Sequence, residues 1–183
     1  MKNMPCDYHK VRGIAAIEMT FVLPILILLA FGVVEVVHAI QAKNVSISLA
    51  REGANLASRS TADSEQDIMD ALALSAQPLD FSKNGIIYIS VVVGDSELMP
   101  YISEQHRWNK HGYTSSSTTW SDCSDWTPDG TCLLPPNRPR LANFPMVLTE
   151  GETVHIVEVV YEYAWFTDII FDQNIVIHSN ALM

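Results

Sequence analysis

Charge is scarce in this chain and positive charge scarcer still: 17% of its 183 residues are charged, with 11 Lys and Arg against 21 Asp and Glu. A net charge of −10 with no basic patch excludes nucleic acid as the main partner, because phosphate backbones are held by clustered cations. Enzyme signatures are missing as well. There is no Gly-rich phosphate loop, no H-E-x-x-H and no G-x-S-x-G elbow, and the six histidines are scattered, so neither enzymatic activity nor a cofactor is expected. His106 and His111 stand near Cys123 and Cys132 at a spacing that suits no usual zinc finger. Asp122, Asp125 and Asp129 do not follow an EF-hand loop, so no metal is expected either. The length leaves room for one domain plus attachments.

What the chain does have is apolar residues, 48% of the total, in an uneven distribution. Residues 1–13 carry Lys2, Lys10 and Arg12 against Asp7, residues 14–40 carry only Glu18 and Glu35, and the acidic excess falls in residues 41–183. From Ile14 to Ile40 the sequence is apolar for 27 residues, about 40 Å as a helix at ~1.5 Å per residue, which is longer than a hydrocarbon core of roughly 30 Å. A core helix of a soluble domain would show a polar stripe, yet between Met19 and Val34 only Thr20 is polar, so the run reads as a transmembrane helix. Basic residues crowd its N-terminal side. By the positive-inside rule the N-terminus stays in the cytoplasm and the acidic body faces outward. The run is too long for an ordinary signal peptide.

Glu18 is the costly residue of this run, since a carboxylate in hydrocarbon costs a few kcal/mol on the most lenient scales. Two readings are open: it meets a cationic partner within the membrane, or it reaches the headgroup level. Pro24 removes the backbone donor that would reach the Thr20 carbonyl, so a local kink or loosened turn is expected; it could serve a bending filament or simply be tolerated. Glu35 and His38, at i and i+3, read as a solvated pair where the chain leaves the bilayer.

The string Arg12-Gly13-Ile14-Ala15-Ala16-Ile17-Glu18, with the apolar run that follows and its Pro24 and Gly32-Val33-Val34-Glu35 elements, resembles the N-terminal signature of TadE-like pseudopilins. These are minor pilin-like subunits of the tight-adherence (Tad/Flp) branch of type IV pili. The resemblance covers residues 12–54 and does not separate TadE-like from TadF-like members. It implies cleavage between Gly13 and Ile14 by a prepilin peptidase, with Glu18 as residue five of the mature chain guiding processing or assembly. It further implies a place in the bacterial inner membrane, incorporation into an extracellular pilus, and other pilin subunits and the pilus assembly platform as partners. The competing reading is an uncleaved bitopic membrane protein whose outer domain binds something.

Beyond the membrane run the helix is expected to reach about Arg59, and a second helix to span Ser64 to Ala76 with Ser64 as N-cap and Asp67 at the third helical position. Strands are expected at Gly85–Gly94, Thr153–Trp165 and Asn174–His178, with Phe144–Thr149 pairing back through Glu150-Gly151. In the second strand Val157, Val159, Tyr161, Tyr163 and Trp165 share one face, and Glu158 and Glu162 read as part of an outward, solvated face. Residues 103–143 form a long loop in which Trp108, Trp120 and Trp126 either contact a partner or fold back onto the sheet. Cys6 leaves with the leader, so Cys123 and Cys132, separated by turn-forming Thr127-Pro128-Asp129-Gly130, are expected to form a disulfide in an oxidising compartment.

The fold class that follows is α+β and pilin-like: a long N-terminal transmembrane helix packed on a small, mostly antiparallel sheet with a long disulfide-containing loop. Residues 1–13 form a cytoplasmic leader, residues 14–40 the transmembrane helix, and residues 41–183 a periplasmic domain.

Overall fold

The computed structural model describes residues 9–59, 64–95, 99–165 and 174–183. Most of the leader, with Lys2, Cys6 and Asp7, lies outside the described residues. Helix α1 runs from His9 to Arg59, α2 from Glu65 to Ser75 and the short α3 from Phe81 to Asn84. Strands β1 (Gly85–Val93), β2 (Tyr101–Arg107), β3 (Thr153–Tyr163) and β4 (Ile175–Leu182) form one antiparallel sheet in the order β2-β1-β3-β4. By their contacts the residues fall into two units, Met1–Ile40 and Gln41–Met183.

Within the second unit the last turns of α1 lie on the sheet, and they do so through small residues. Ala50, Ala54 and Ala57 are buried with Leu49 against Ile87, Ile89, Val157 and Val159. Gly53 marks the closest approach: a methyl group there would stand 2.7 Å from Leu72 Cδ1 and 2.9 Å from Val157 Cγ1. A larger residue would hold helix and sheet apart. Helix α2 closes the same face with Ile68, Met69 and Leu72. Its start is fixed as the sequence predicts, with Ser64 Oγ accepting the Asp67 amide at 3.2 Å and donating to Asp67 Oδ2 at 2.8 Å.

The strand boundaries differ from expectation in three places. Residues 103–107 belong to β2, whose pairing with β1 carries a bulge between Val91 and Val92, so the long loop begins only after Arg107. Phe144–Thr149 is not a strand; the segment ends in a turn closed by Glu152 N donating to Thr149 O at 3.0 Å. Strand β4 continues past His178 to Leu182, adding a full row of pairs with β3.

The second face of the sheet is covered by the long loop. Val92, Ile102, Val154 and Ile156 pack with Leu148 and, at the margin, with Trp120, Leu141 and Phe144. Ile86, Tyr88 and Val160 pack with Tyr113 and Trp126. These apolar contacts form two separate small clusters, not one continuous core.

Candidate functional site

Residues 16–40 of α1 present apolar side chains outward almost without interruption, from Ile17 and Phe21 to Val37 and Ile40. Such a surface is unsuited to water and long enough to cross a bilayer, which is consistent with a single-pass membrane anchor. Glu18 is exposed on this helix. At i+4, i+7 and i+11 from it stand Val22, Ile25 and Leu29, so its carboxylate interrupts an apolar stripe, and among the described residues no side chain partners it. Thr20 is neutralised locally, its hydroxyl donating to the Ala16 carbonyl at 2.8 Å. Pro24 lies inside the helix, which is continuous through it, and Gly13 and Ile14 lie within the same helical backbone. Glu35 departs from the solvated pair expected with His38: it is 2% exposed, whereas His38 is exposed.

The tryptophans of the long loop take the second of the two roles open to them and fold back. Trp108, at 4% exposure, is part of the helix-side core and its indole N–H donates to Asp70 Oδ1 at 2.8 Å. Trp120 packs at the margin of the cluster around Val92 and Ile156. Trp126 sits 6.0 Å from the Tyr88 ring, with the Arg107 guanidinium 4.6 Å from its ring centre. Cys123 and Cys132 are joined in a disulfide with Cα atoms 6.1 Å apart. Gly130, at φ +73°, makes the turn between them, and its carbonyl accepts the Arg107 amide at 2.7 Å. The disulfide hairpin is thereby pinned to the edge strand β2.

Glu158 is not on a solvated face. It is 2% exposed, because the loop folds over the face that the alternation of β3 assigns to it. Its carboxylate accepts from the backbone amides of Thr118 at 3.2 Å and Thr119 at 2.8 Å, from the Thr119 hydroxyl at 2.9 Å, and from the hydroxyls of Ser117 and Thr118. Five donors from three successive residues meet the solvation need of a buried carboxylate. They also fix the Ser117–Thr119 segment at the centre of the sheet. Nearby, the Tyr88 hydroxyl donates to the Ser115 carbonyl. Burial, reinforced by the charge of Glu158 and opposed by that of Arg107, pushes the Tyr88 phenol up to about 12. The signal was present in the sequence as a carboxylate flanked by valines on an apolar strand, facing a chain rich in hydroxyls.

Among the grooves that open on this body are two of similar size. One of 460 Å³ is lined by Thr119, Trp120, Arg140, Phe144, Ile156 and Asn180, among others, and its lining holds no carboxylate, histidine or cysteine. The other, of 500 Å³, lies beside Asp70, Leu74, Phe81, Trp108 and Lys110. Asp122, Asp125 and Asp129 form no ligating cluster among the described residues, and Cys123 and Cys132 are consumed by their disulfide.

Comparison with known proteins bears on the N-terminal segment alone. Residues 13–55 match the family model described as TadE-like protein. No curated protein and no solved structure matches the chain.

Proposed function

With residues 13–55 being TadE-like, we propose that the chain is a minor, pilin-like subunit of a tight-adherence (Tad/Flp) pilus, working in its assembly, in priming it or at its tip. The observation that carries this reading is the coincidence of three features in one stretch. The matched segment starts at Gly13, contains Glu18, and continues into a helix whose apolar side chains are exposed through Ile40. A prepilin peptidase cuts between Gly13 and Ile14. The cut creates an α-amino group at membrane depth, and the Glu18 carboxylate of a neighbouring subunit neutralises it, which selects one axial register as subunits pack. The helix crosses the bacterial inner membrane with its N-terminus in the cytoplasm, following the basic residues of the leader, and the acidic body lies in the periplasm. Other pilin and pseudopilin subunits and the assembly platform are its partners. The work is structural, done by a sticky helix and a rigid body and not by a reaction.

N-terminal sequencing of the protein from its native membrane tests this. The mature chain should begin at Ile14, and Gly13→Leu should leave a full-length, membrane-inserted precursor, because a peptidase that reads glycine before the cut has no room for a branched side chain. Mature protein of unchanged mass from the variant would sink the processing step and return the chain to an uncleaved bitopic anchor.

A further inference from the structure

Helix α2 and strand β2 bring three potential ligands together from positions far apart in sequence. Glu65 is the first residue of α2, and Glu104 and His106 alternate on β2, so both project toward the helix side of the sheet. One ligating atom from each of the three lies within 4.8 Å of the others. The His106 side chain is 10% exposed and held from behind, with Nδ1 3.2 Å from Thr131 Oγ1. Nε2 is hydrogen-bonded to Glu104 Oε2 at 3.3 Å, and with Nδ1–H donated to the Thr131 hydroxyl a cation that replaces the Nε2 proton would be ligated by both the ring and the carboxylate. This is how metal-ligating histidines are ordinarily prepared, one nitrogen oriented by a neighbour and the other free to coordinate. Electrostatics adds a second argument. Two carboxylates converge here, neither is paired with a lysine or arginine among the described residues, and Glu104 has the His106 ring itself as its ion-pair partner.

We propose that Glu65, Glu104 and His106 bind one divalent transition-metal cation of the zinc type, which fastens the start of α2 to strand β2. An imidazole nitrogen with two carboxylate oxygens suits zinc-like ions, while an all-oxygen set would suit calcium or magnesium. Water completes the coordination on the open side, where Glu104 reaches solvent. The site acts on more than two elements. Thr131 stands next to Cys132, and the His106–Thr131 bridge joins the disulfide hairpin to β2, so an occupied site ties helix, sheet edge and loop at one point. His155, on β3 in the same row as Val91 and Glu104, borders the site without joining it. Sequence spacing hides the set, because Glu65 stands far upstream of the Glu104/His106 pair and only the fold brings it back.

The test uses the full, disulfide-bonded chain without a histidine tag in detergent micelles, titrated with Zn²⁺ by calorimetry and followed by thermal unfolding. Wild type should bind one equivalent and unfold at a higher temperature with Zn²⁺ present. Glu104→Gln is the key variant, since the Glu104 side chain is 57% exposed and its loss leaves the fold intact. It should weaken Zn²⁺ at least 10-fold and abolish the thermal shift. Thr131→Val, which removes only the support behind the ring, should weaken binding by about 10-fold to 100-fold. No one-to-one binding by wild type, or affinity unchanged in both Glu104→Gln and Glu65→Gln, would overturn the site. Displacement of Zn²⁺ by equimolar Ca²⁺ would overturn the imidazole-centred assignment.

Discussion

The face of the sheet that carries Ile87, Ile89, Val157 and Val159 is covered by helix, while the face that carries Tyr88, Ser90, Gln105 and Glu158 is covered by loop. On the helix side the cover is self-supporting: α1 and α2 satisfy their own backbone groups, so they need supply only apolar side chains, and the contact is continuous from Leu49 to Tyr161. A loop has no such autonomy. Its amides and hydroxyls must find acceptors, and the sheet provides one in the Glu158 carboxylate, held beneath Ser117, Thr118 and Thr119. One face is glued by area and the other by a polar anchor, and the two should fail differently.

Removing the anchor should cost most. Glu158→Ala leaves five donors over an apolar sheet with nothing to accept them, and the expected loss is about 3 kcal/mol of unfolding free energy. The near-UV signal of Trp120 and Trp126 should broaden, and limited proteolysis should begin in the loop, while the amides of α2 keep their protection from exchange. Loss of protection in α2 and the loop together would mean that the faces are one cooperative unit and that the comparison is false.

Opening the disulfide comes next. The paired change Cys123→Ser with Cys132→Ser frees a short loop, the cysteines being separated by nine positions in sequence, and should cost about 2 kcal/mol, largely through the unfolded chain. Because Gly130 and Cys132 stay hydrogen-bonded to Arg107 and Gln105 on β2, the hairpin should remain in place at neutral pH, and urea midpoints should shift with little change in slope. If mass spectrometry of the non-reduced protein finds both thiols freely alkylated, the bridge is absent from the native molecule.

Gly53→Ala probes the helix face with a smaller effect. Alanine in a helix ordinarily gains close to 1 kcal/mol over glycine, but here its methyl meets Leu72 and Val157 inside contact distance, so the balance should turn to a loss of about 1 kcal/mol. A stabilised variant would show that α1 lifts off the sheet without penalty.

The two faces also differ in how far they were legible beforehand. Helix periodicity, the Ser64 cap and the β-branched runs of β1 and β3 are local signals, and they located the end of α1, α2, β1 and β3 to within a residue or two, whereas the short α3 carries no such signal. Strand β2 was hidden because Ser103, Glu104, Gln105, His106 and Arg107 are polar; the strand is specified by its pairing with β1, not by its composition. The alternation of β3 put Glu158 on the correct face, yet what covers that face is decided by a segment 40 residues earlier. The long apolar helix was legible without the fold, since its length and its lack of polar residues are local properties of the sequence.

The smallest effect is a difference in acid response. On the helix face, burial alone would raise the Asp70 carboxyl, but the hydrogen bonds from Lys110 and Trp108 and the lysine charge outweigh it and hold the group below its usual range. On the loop side, burial lowers the His111 imidazole, and the positive charge of Arg107 lowers it further. Both shifts are depressions, so in each case the unfolded chain binds protons more readily than the folded one. The stability they contribute is present above the unfolded value and is lost as pH falls through the folded value. For His111 that loss begins below about pH 6.5, and for Asp70 only below about pH 3.9. Mild acid should therefore remove the contribution of His111 while that of Asp70 is still intact, and burial depresses His155 on the helix side in the same direction as His111. Urea midpoints measured at about pH 7.5 and about pH 5 should fall less for His111→Gln than for wild type, whereas Asp70→Asn should match wild type across that interval and diverge only below about pH 4. An equal fall in His111→Gln and wild type would remove His111 as a source of the acid response.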